Sequence, residues 1–357
     1  MSTMTMRQRM LAVLKGRPMD RVPFVQYYGL AAPNEKVWSV VGRGNMGILR
    51  WVRVHDLEQP TCRVETEEIE RAGRNGVRTV LHTPAGSLTQ VKLYEPAYGS
   101  PNTREHFVKD PADYEALLAY LRDTVVVEHI ERFREAEEAL GEDGLPLVAL
   151  ERTPFSQMWI QWVSIEHLSY HLADCPEIVH ECMDEMAEIV RRIVPIVRKA
   201  GVDMVDFPDN ITTPIVSPAA YRRYCLPLYS EVSGILSEDD IFVLVHMDGN
   251  LRPLWDLIGE SGIRGIDSLA PPPDNDTPLR KAAAMWPEMR LWPNFPSSVH
   301  LQPPEKVYER ATEMLEGAGH TGRLQIQISE NVPRDAWPKS FPQIVQAIED
   351  FGPPGGV

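Results

Sequence analysis

The sequence predicts an α/β protein, a (β/α)8 TIM barrel with an N-terminal elaboration that contains a β-hairpin. From Pro146 onward, short apolar runs alternate with segments of helical spacing, and most apolar runs end in a polar side chain. Repeated βα units form either a doubly wound sheet or a barrel. The length of 357 residues, and the absence of a Gly-x-Gly-x-x-Gly motif after any strand candidate, favour the barrel.

One domain is predicted for residues 1–357, with an insertion at about 30–140, because barrels of this length are routinely single domains. Within the insertion, Asn75-Gly76 and Ala85-Gly86 are turn signals between β-rich runs. These runs predict the hairpin. The same region is expected to hold the eighth barrel strand, since the rest of the chain offers only seven candidates.

Apolar spacing and turn residues place the elements in order. Residues 6–14 have helical spacing before Gly16, and the first strand lies within residues 20–28. Ser217-Pro218 begins a later helix as N-cap and first helical residue. The remaining strands are predicted at residues 147–150, 202–205, 241–246, 265–267, 289–292 and 324–328, and the remaining helices at 110–121, 129–140, 176–199, 251–258, 303–315 and 337–351.

The strand at residues 241–246 is the centre of the functional interpretation. Five apolar residues end at His246, and such a run is typical of a strand buried on both faces. Asp248 follows two positions later, so both side chains can point the same way, and Gly249 permits a tight turn. A barrel places its chemistry at this end of a strand. The alternative is a core histidine with a capping aspartate, and both interpretations stay open.

Polar residues recur at the ends of the other predicted strands. In a barrel they face one mouth, where crowded carboxylates repel each other unless a cation or a bound ligand offsets them. Taken singly, each is as readily a cap or a loop residue. The strand-end residues are Gln26, Tyr27, Tyr28, Glu151, Arg152, Asp206, Asp209, Asn210, His246, Asp248, Asn250, Asp267, Asn294 and Glu330.

A metal site is predicted from three of these residues, His246, Asp248 and Glu330. One imidazole and two carboxylates suit Zn²⁺ with an open position for substrate or water. The same ligands accept Fe²⁺, Mn²⁺ or Co²⁺. A His-x-Asp pair also occurs by chance. For Glu330, which lies far along the chain from Asp248, a capping or loop carboxylate remains the alternative.

Composition excludes several classes of function. The formal net charge of −15 argues against nucleic-acid binding, which needs a basic surface. No apolar run approaches the roughly 18 residues of a membrane span. The N-terminal residues lack an apolar signal core, and the four cysteines form no Cys-x-x-Cys pair. A cytoplasmic protein with reduced, structural thiols is therefore expected.

Several motifs in order resemble the uroporphyrinogen decarboxylase superfamily. They are Arg7-Gln-Arg-Met-Leu-Ala-Val-Leu-Lys-Gly16 with Asp20-Arg-Val-Pro23, then Ser217-Pro-Ala-Ala-Tyr-Arg-Arg-Tyr-Cys-Leu-Pro227, His246-Met-Asp-Gly-Asn250, Pro293-Asn-Phe295 and Glu330-Asn-Val-Pro333. The resemblance covers most of the chain, is weakest across residues 30–140, and implies a (β/α)8 barrel.

The superfamily contains two chemistries. True uroporphyrinogen decarboxylases carry an arginine-rich motif near the N-terminus, whereas this chain has no basic residue between Pro23 and Lys36. The chain is therefore not expected to decarboxylate uroporphyrinogen. The resemblance is closer to the zinc- and cobalamin-dependent methyltransferases, whose motif is similar to His-x-Cys-Gly-Asn followed later by a second cysteine.

His246, Gly249 and Asn250 match the methyltransferase motif, but Asp248 stands in place of the first cysteine and Glu330 near the second. Thiolate ligands favour a zinc that activates a thiol. An oxygen-rich site is a stronger Lewis acid, better suited to an ether or alcohol oxygen. The resemblance together with this departure implies demethylation of a methoxylated compound.

The expected function is that of a metal-dependent methyltransferase, the substrate-side component of a corrinoid-dependent O-demethylase system. The cofactors would be Zn²⁺, or another divalent metal, and cobalamin on a partner protein. The partners would be a small-molecule methyl donor and a corrinoid protein, with a homodimer left open. Asp206, Glu151 and Tyr27 are expected to be catalytic residues, and Asn250 and Asn294 to contact the cofactor.

Two alternatives stay open. One is a decarboxylase or lyase of another small acid. The other is a non-catalytic metal- or ligand-binding barrel that kept the fold and lost the cysteines.

Overall fold

The computed structural model of the protein describes residues 3–97 and 99–355. These residues form two compact units. The first unit comprises Met1–Val54, Ile130–Leu150 and Val197–Val357, and the second comprises His55–His129 and Glu151–Ile196. The single domain expected from the sequence stays a prediction.

The strands are β1 (Phe24–Tyr27), β2 (Gly47–Val52), β3 (His55–Glu58), β4 (Arg63–Arg71), β5 (Arg74–Thr83), β6 (Gly86–Tyr94), β7 (Pro101–Glu105), β8 (Val125–Glu128), β9 (Gly144–Ala149), β10 (Met204–Phe207), β11 (Phe242–His246), β12 (Gly265–Leu269), β13 (Arg290–Pro293) and β14 (Ile326–Ile328).

The α-helices are α1 (Met6–Lys15), α2 (Asn34–Val41), α3 (Asp113–Arg122), α4 (Glu131–Leu140), α5 (Pro154–Gln157), α6 (Ile165–Asp174), α7 (Pro176–Ala200), α8 (Pro218–Ala220), α9 (Leu226–Ser237), α10 (Trp255–Glu260), α11 (Leu279–Met285), α12 (Pro304–Ala318) and α13 (Trp337–Phe351). Among them, no helix of the described ranges is both long and apolar enough to cross a membrane.

Eight parallel strands of the first unit form the predicted barrel. Their order is β13-β12-β11-β10-β9-β2-β1-β14. Parallel bridges from Leu291 to Leu324 and from Asn294 to Gln327 join the two outer strands, so the barrel is nearly closed. The eighth strand expected within residues 30–140 is β2. The sequence prediction of a (β/α)8 barrel is therefore confirmed.

The glycines at positions 42, 44 and 47 have the spacing of a dinucleotide-binding loop. They follow helix α2 and lead into strand β2, the reverse of the strand-to-helix order that such a loop requires. The barrel therefore uses this segment only as a connection.

The second unit contains the predicted hairpin within an antiparallel sheet of order β4-β5-β6-β7. Strands β5 and β6 are paired from Gly76 opposite Leu93 to Thr83 opposite Gly86. This pairing confirms the turn at Ala85-Gly86. The turn predicted at Asn75-Gly76 is wrong, because both residues lie inside β5. A methyl group on Gly76 would lie 2.2 Å from the carbonyl oxygen of Lys92, so this glycine permits close strand approach.

Helix α1 shares its hydrophobic core with the barrel. Met10 and Leu14 of this helix lie in one buried cluster with Met204 and Phe242, the first residues of β10 and β11. Helix α1 therefore packs against the N-terminal end of the strands. This end of a barrel contributes stability rather than chemistry.

A buried ion pair fixes helix α1. Arg9 is 1% exposed and binds Asp20 through two hydrogen bonds of 2.7 and 2.9 Å, and a third bond of 2.9 Å reaches the carbonyl of Gly44. Thr5 and Gln8 form a capping box at the start of the helix. The N-terminal motif that resembles the superfamily therefore has a structural role in this chain.

Replacing Arg9 by alanine is expected to lower the free energy of unfolding by about 3 kcal/mol, because Asp20 would lose its buried partner. The matched control is Arg7→Ala, which removes a pair with Glu137 whose side chains are 21% and 34% exposed. That control should cost no more than about 1 kcal/mol. Urea unfolding followed by circular dichroism measures both, and equal costs would contradict the assignment.

Candidate metal centre

Strand β11 carries His246 from the barrel core to its mouth. All five residues of β11 are buried, and Phe242 and Leu244 belong to the same core cluster. Because alternate residues of a strand face the same side, His246 continues this inward-facing row. His246 is 8% exposed.

A short loop pairing holds the residues after β11. The amide of Gly249 donates to the carbonyl of Ile211 (3.2 Å), and the amide of Thr213 donates to the carbonyl of Asn250 (2.9 Å). A methyl group on Gly249 would lie 2.2 Å from Cβ and 2.7 Å from Cα of Thr212. Only glycine permits the two loops to approach this closely, and their pairing fixes the position of Asp248.

The structure brings together the three residues predicted to bind metal. One ligand atom from each of His246, Asp248 and Glu330 lies within 4.8 Å of the other two. Nε2 of His246 is 3.8 Å from Oδ2 of Asp248, and Nδ2 of Asn210 donates to the same oxygen at 3.3 Å. Within the described ranges, these three residues are the one cluster of potential ligands that meets this criterion.

Burial and the neighbouring charges both shift the pKa values of the three groups. Burial raises the pKa of Glu330, and the neighbouring Asp248 raises it further. Burial also raises the pKa of Asp248, but the adjacent His246 outweighs it and holds this pKa below its usual value. Burial lowers the pKa of His246, but Asp248 and Asp267 raise it well above the usual value. Such mutual dependence is typical of a site that a cation would stabilise.

The predicted catalytic residues Tyr27 and Asp206 lie in the first unit, as do the three potential metal ligands. The hydroxyl of Tyr27 donates to Asp267 and lies 3.3 Å from Nδ1 of His246. Asp206 is fully buried, and neither carboxyl oxygen has a hydrogen-bond partner among the described residues. Burial, followed by the charge of Asp267, raises the pKa of Asp206 well above its ordinary value.

Glu151, the third predicted catalytic residue, belongs to the second unit. There its Oε1 atom lies 3.3 Å from Nε2 of His55, which is fully buried. The sequence offered no signal for this partner, because 96 positions separate the two residues. The catalytic role of Glu151 stays a prediction.

The two asparagines predicted to contact the cofactor differ in their surroundings. Asn294 is 3% exposed, and its Oδ1 accepts the amide of Ser329 at 2.9 Å, which fixes the residue before Glu330. Asn250 contributes its backbone carbonyl to the loop pairing with Thr213. Cofactor binding by either side chain stays a prediction.

Asp267 was noted in the sequence as a strand-end residue without an assigned role. In the structure it is fully buried, and its Oδ2 lies 3.0 Å from Nδ1 of His246. Strands β11 and β12 place His246 and Asp267 in register, a pairing that spacing along the chain does not reveal. A partner on the second ring nitrogen is usual for a histidine that binds metal.

Comparison with known proteins identifies the family of the chain. The family model described as uroporphyrinogen decarboxylase (URO-D) matches residues 77–351. The chain belongs to this family. The matched segment includes all three potential ligands.

Two curated relatives are methylcobamide:CoM methyltransferases. Methylcobamide:CoM methyltransferase MtaA of Methanosarcina barkeri is 22% identical over 279 residues, covering 74% of this chain and 76% of the relative. Methylcobamide:CoM methyltransferase MtbA of Methanosarcina acetivorans is 22% identical over 276 residues, with the same two coverages.

Solved structures show the same fold. A methyltransferase from Methanosarcina mazei has a TM-score of 0.59 at 16% identity and covers 98% of this chain and 99% of its own. A B12-independent methionine synthase from Shewanella sp. W3-18-1 has a TM-score of 0.50 at 9% identity, covering 89% of this chain and 84% of its own.

Replacing Gly249 by alanine is expected to weaken zinc binding by about tenfold or more, because the added methyl group displaces the loop that carries Asp248. The matched control is Gly234→Ala in α9, where an added methyl group meets nothing within 4 Å. Competition with a chromophoric chelator measures both affinities. Equal affinities would show that the close loop approach does not position the ligands.

Proposed function

We propose that the protein is a metal-dependent methyltransferase, the substrate-side component of a corrinoid-dependent O-demethylase system. The observation that carries the proposal is the cluster of one imidazole and two carboxylates at the end of β11. Membership of the family and the names of the curated relatives support methyl transfer that involves a corrinoid.

The donor set fits a divalent metal. His246 contributes a nitrogen and Asp248 and Glu330 contribute oxygens, a set that Zn²⁺ accepts along with Fe²⁺, Mn²⁺ and Co²⁺. The mixed burial of the cluster, with His246 buried and both carboxylates half-buried, leaves one side accessible to a substrate. The set contains no thiolate.

When bound, a metal held by these ligands would supply Lewis acidity toward the oxygen of a methoxy group. The residues of the chain have separate tasks. Asn210 holds Asp248 through Oδ2, and Asn294 holds the segment before Glu330 through the amide of Ser329. Asp206 is the candidate proton donor, because its buried carboxyl group favours the protonated form and could return a proton to the leaving oxygen.

The methyl donor we propose is a methoxylated small molecule, and the acceptor is a corrinoid on a partner protein. An ether oxygen is a poor leaving group without assistance, so the reaction benefits from a metal bound only by oxygen and nitrogen. The relatives are named for coenzyme M, a thiol, whereas Asp248 and Glu330 would provide the oxygen ligands of this chain.

Single replacements His246→Ala, Asp248→Ala and Glu330→Ala are each expected to remove zinc and keep the fold, because the ligands lie at the barrel mouth. The replacement Asp248→Cys should retain some zinc, since thiolate is a good zinc ligand. Mass spectrometry for metal and far-UV circular dichroism measure the two properties. Loss of the dichroism signal in the alanine variants would support a structural role for the cluster instead.

The protein is expected to methylate a Co(I) corrinoid from a methoxylated small molecule and not from a methyl thioether. The test follows methylcobalamin formation by absorbance with reduced cobalamin and a panel of methoxyarenes, methylamines and methyl thioethers. His246→Ala is the matched control and should show no transfer. Activity confined to thioethers, or activity that persists in the control, would contradict the proposal.

A further inference from the structure

Asp267 contacts Nδ1 of His246, whereas Asp248 lies beside Nε2 of the same ring. Oδ2 of Asp267 lies 3.0 Å from Nδ1, whereas Nε2 of the same ring lies 3.8 Å from Asp248. Asp267 is not a member of the cluster whose ligand atoms lie within 4.8 Å of one another. Asp267 therefore contacts the histidine ring without belonging to the set of potential metal ligands.

Several side chains place potential donors around the carboxylate of Asp267. Nε2 of Gln327 donates to Oδ1 at 2.5 Å, while Oδ2 faces the hydroxyl of Tyr27, the hydroxyl of Ser268 at 3.4 Å and Nδ1 of His246. The hydroxyl of Tyr27 and Nδ1 of His246 match the two acceptor sites of Oδ2, and the hydroxyl of Ser268 lies nearer to the oxygen of Tyr27, at 3.1 Å. The backbone supports this geometry, because Ser268 has φ of 60° where the pairing of β12 with β13 shifts register.

The hydrogen on the imidazole can be assigned from these contacts. The single hydroxyl hydrogen of Tyr27 is used toward Asp267, which is its shortest contact. The oxygen of Tyr27 can then only accept from Nδ1 of His246, which lies at 3.3 Å. Both neighbours of Nδ1 are acceptors, so the hydrogen of a neutral imidazole belongs on Nδ1.

We infer that Asp267, supported by Tyr27 and Gln327, is a positioning residue that keeps the hydrogen of His246 on Nδ1 and so presents Nε2 to the metal. Tyr27 then acts through His246 rather than on the methyl donor. This inference rests on the proposed metal binding for its purpose, but the tautomer itself is a property of the metal-free protein. Partners of this kind fix ring orientation and raise ligand basicity.

The first test is nuclear magnetic resonance of metal-free protein with ¹⁵N-labelled histidine, at a pH at which the imidazole is neutral. His246→Ala identifies the signal. The wild-type signal is expected to show hydrogen on Nδ1 and a free lone pair on Nε2. The opposite tautomer would overturn the inference. Because this test is made on the wild-type protein, its outcome does not depend on whether a variant of Asp267 folds.

The second test is Asp267→Asn, which replaces an acceptor by an amide that can donate to Nδ1. The expected result is a shift toward hydrogen on Nε2 and a zinc affinity lowered by roughly 10- to 100-fold. Asp209→Asn is the matched control, because Asp209 is equally buried but bonds to Tyr229. The control should keep the wild-type tautomer. An unchanged tautomer and affinity in Asp267→Asn would contradict the inference.

The two proposals fail separately. Wild-type protein that shows hydrogen on Nδ1 but takes up no metal would refute the proposed metal binding and leave the role of Asp267 on the imidazole intact. Zinc bound through Nδ1, or through Asp267 itself, would refute the positioning role and leave metal binding intact. Metal analysis by mass spectrometry reports zinc uptake, and anomalous scattering at the zinc edge from crystals of wild type and Asp267→Asn shows which atoms bind the metal.

Discussion

The two-residue period of the barrel strands is the constraint on which the candidate site depends. In β11, Phe242 and Leu244 fill the core, and the same row of side chains ends at His246. In β10 the row that starts at Met204 ends at Asp206. A shift of one residue in either strand would turn these groups outward. The polar residues at the barrel mouth therefore continue the rows of side chains that form the apolar core. Helix α1 covers the opposite end of that core.

This constraint explains which parts of the site the sequence predicts. The sequence predicts His246 and Asp248 because an apolar run and its polar end are local features, and Glu330 because it follows a predicted strand and begins a motif. Asp267 was seen at a strand end, but its role depends on lateral register with His246. The partner of Glu151 and the strand position of Gly76 likewise depend on contacts between distant segments. Pairing between strands that are distant in the sequence has no local signature.

The proposed chemistry of the site follows from two differences between this chain and the motif that it resembles. Asp248 and Glu330 bring oxygen where thiolates would stand, and the loop pairing around Gly249 keeps Asp248 close to His246. Oxygen ligands leave a metal more Lewis acidic than thiolates do. The same fold and the same histidine would thus serve an ether oxygen in place of a thiol.

Anomalous X-ray scattering from crystals soaked in Zn²⁺ tests the central claim most directly. Data collected above and below the zinc edge should give one strong peak per chain, bounded by Nε2 of His246 and by carboxylate oxygens of Asp248 and Glu330. The distances expected are about 2.0–2.2 Å. No peak at this position, or a main peak at a cysteine or at the protein surface, would contradict the account.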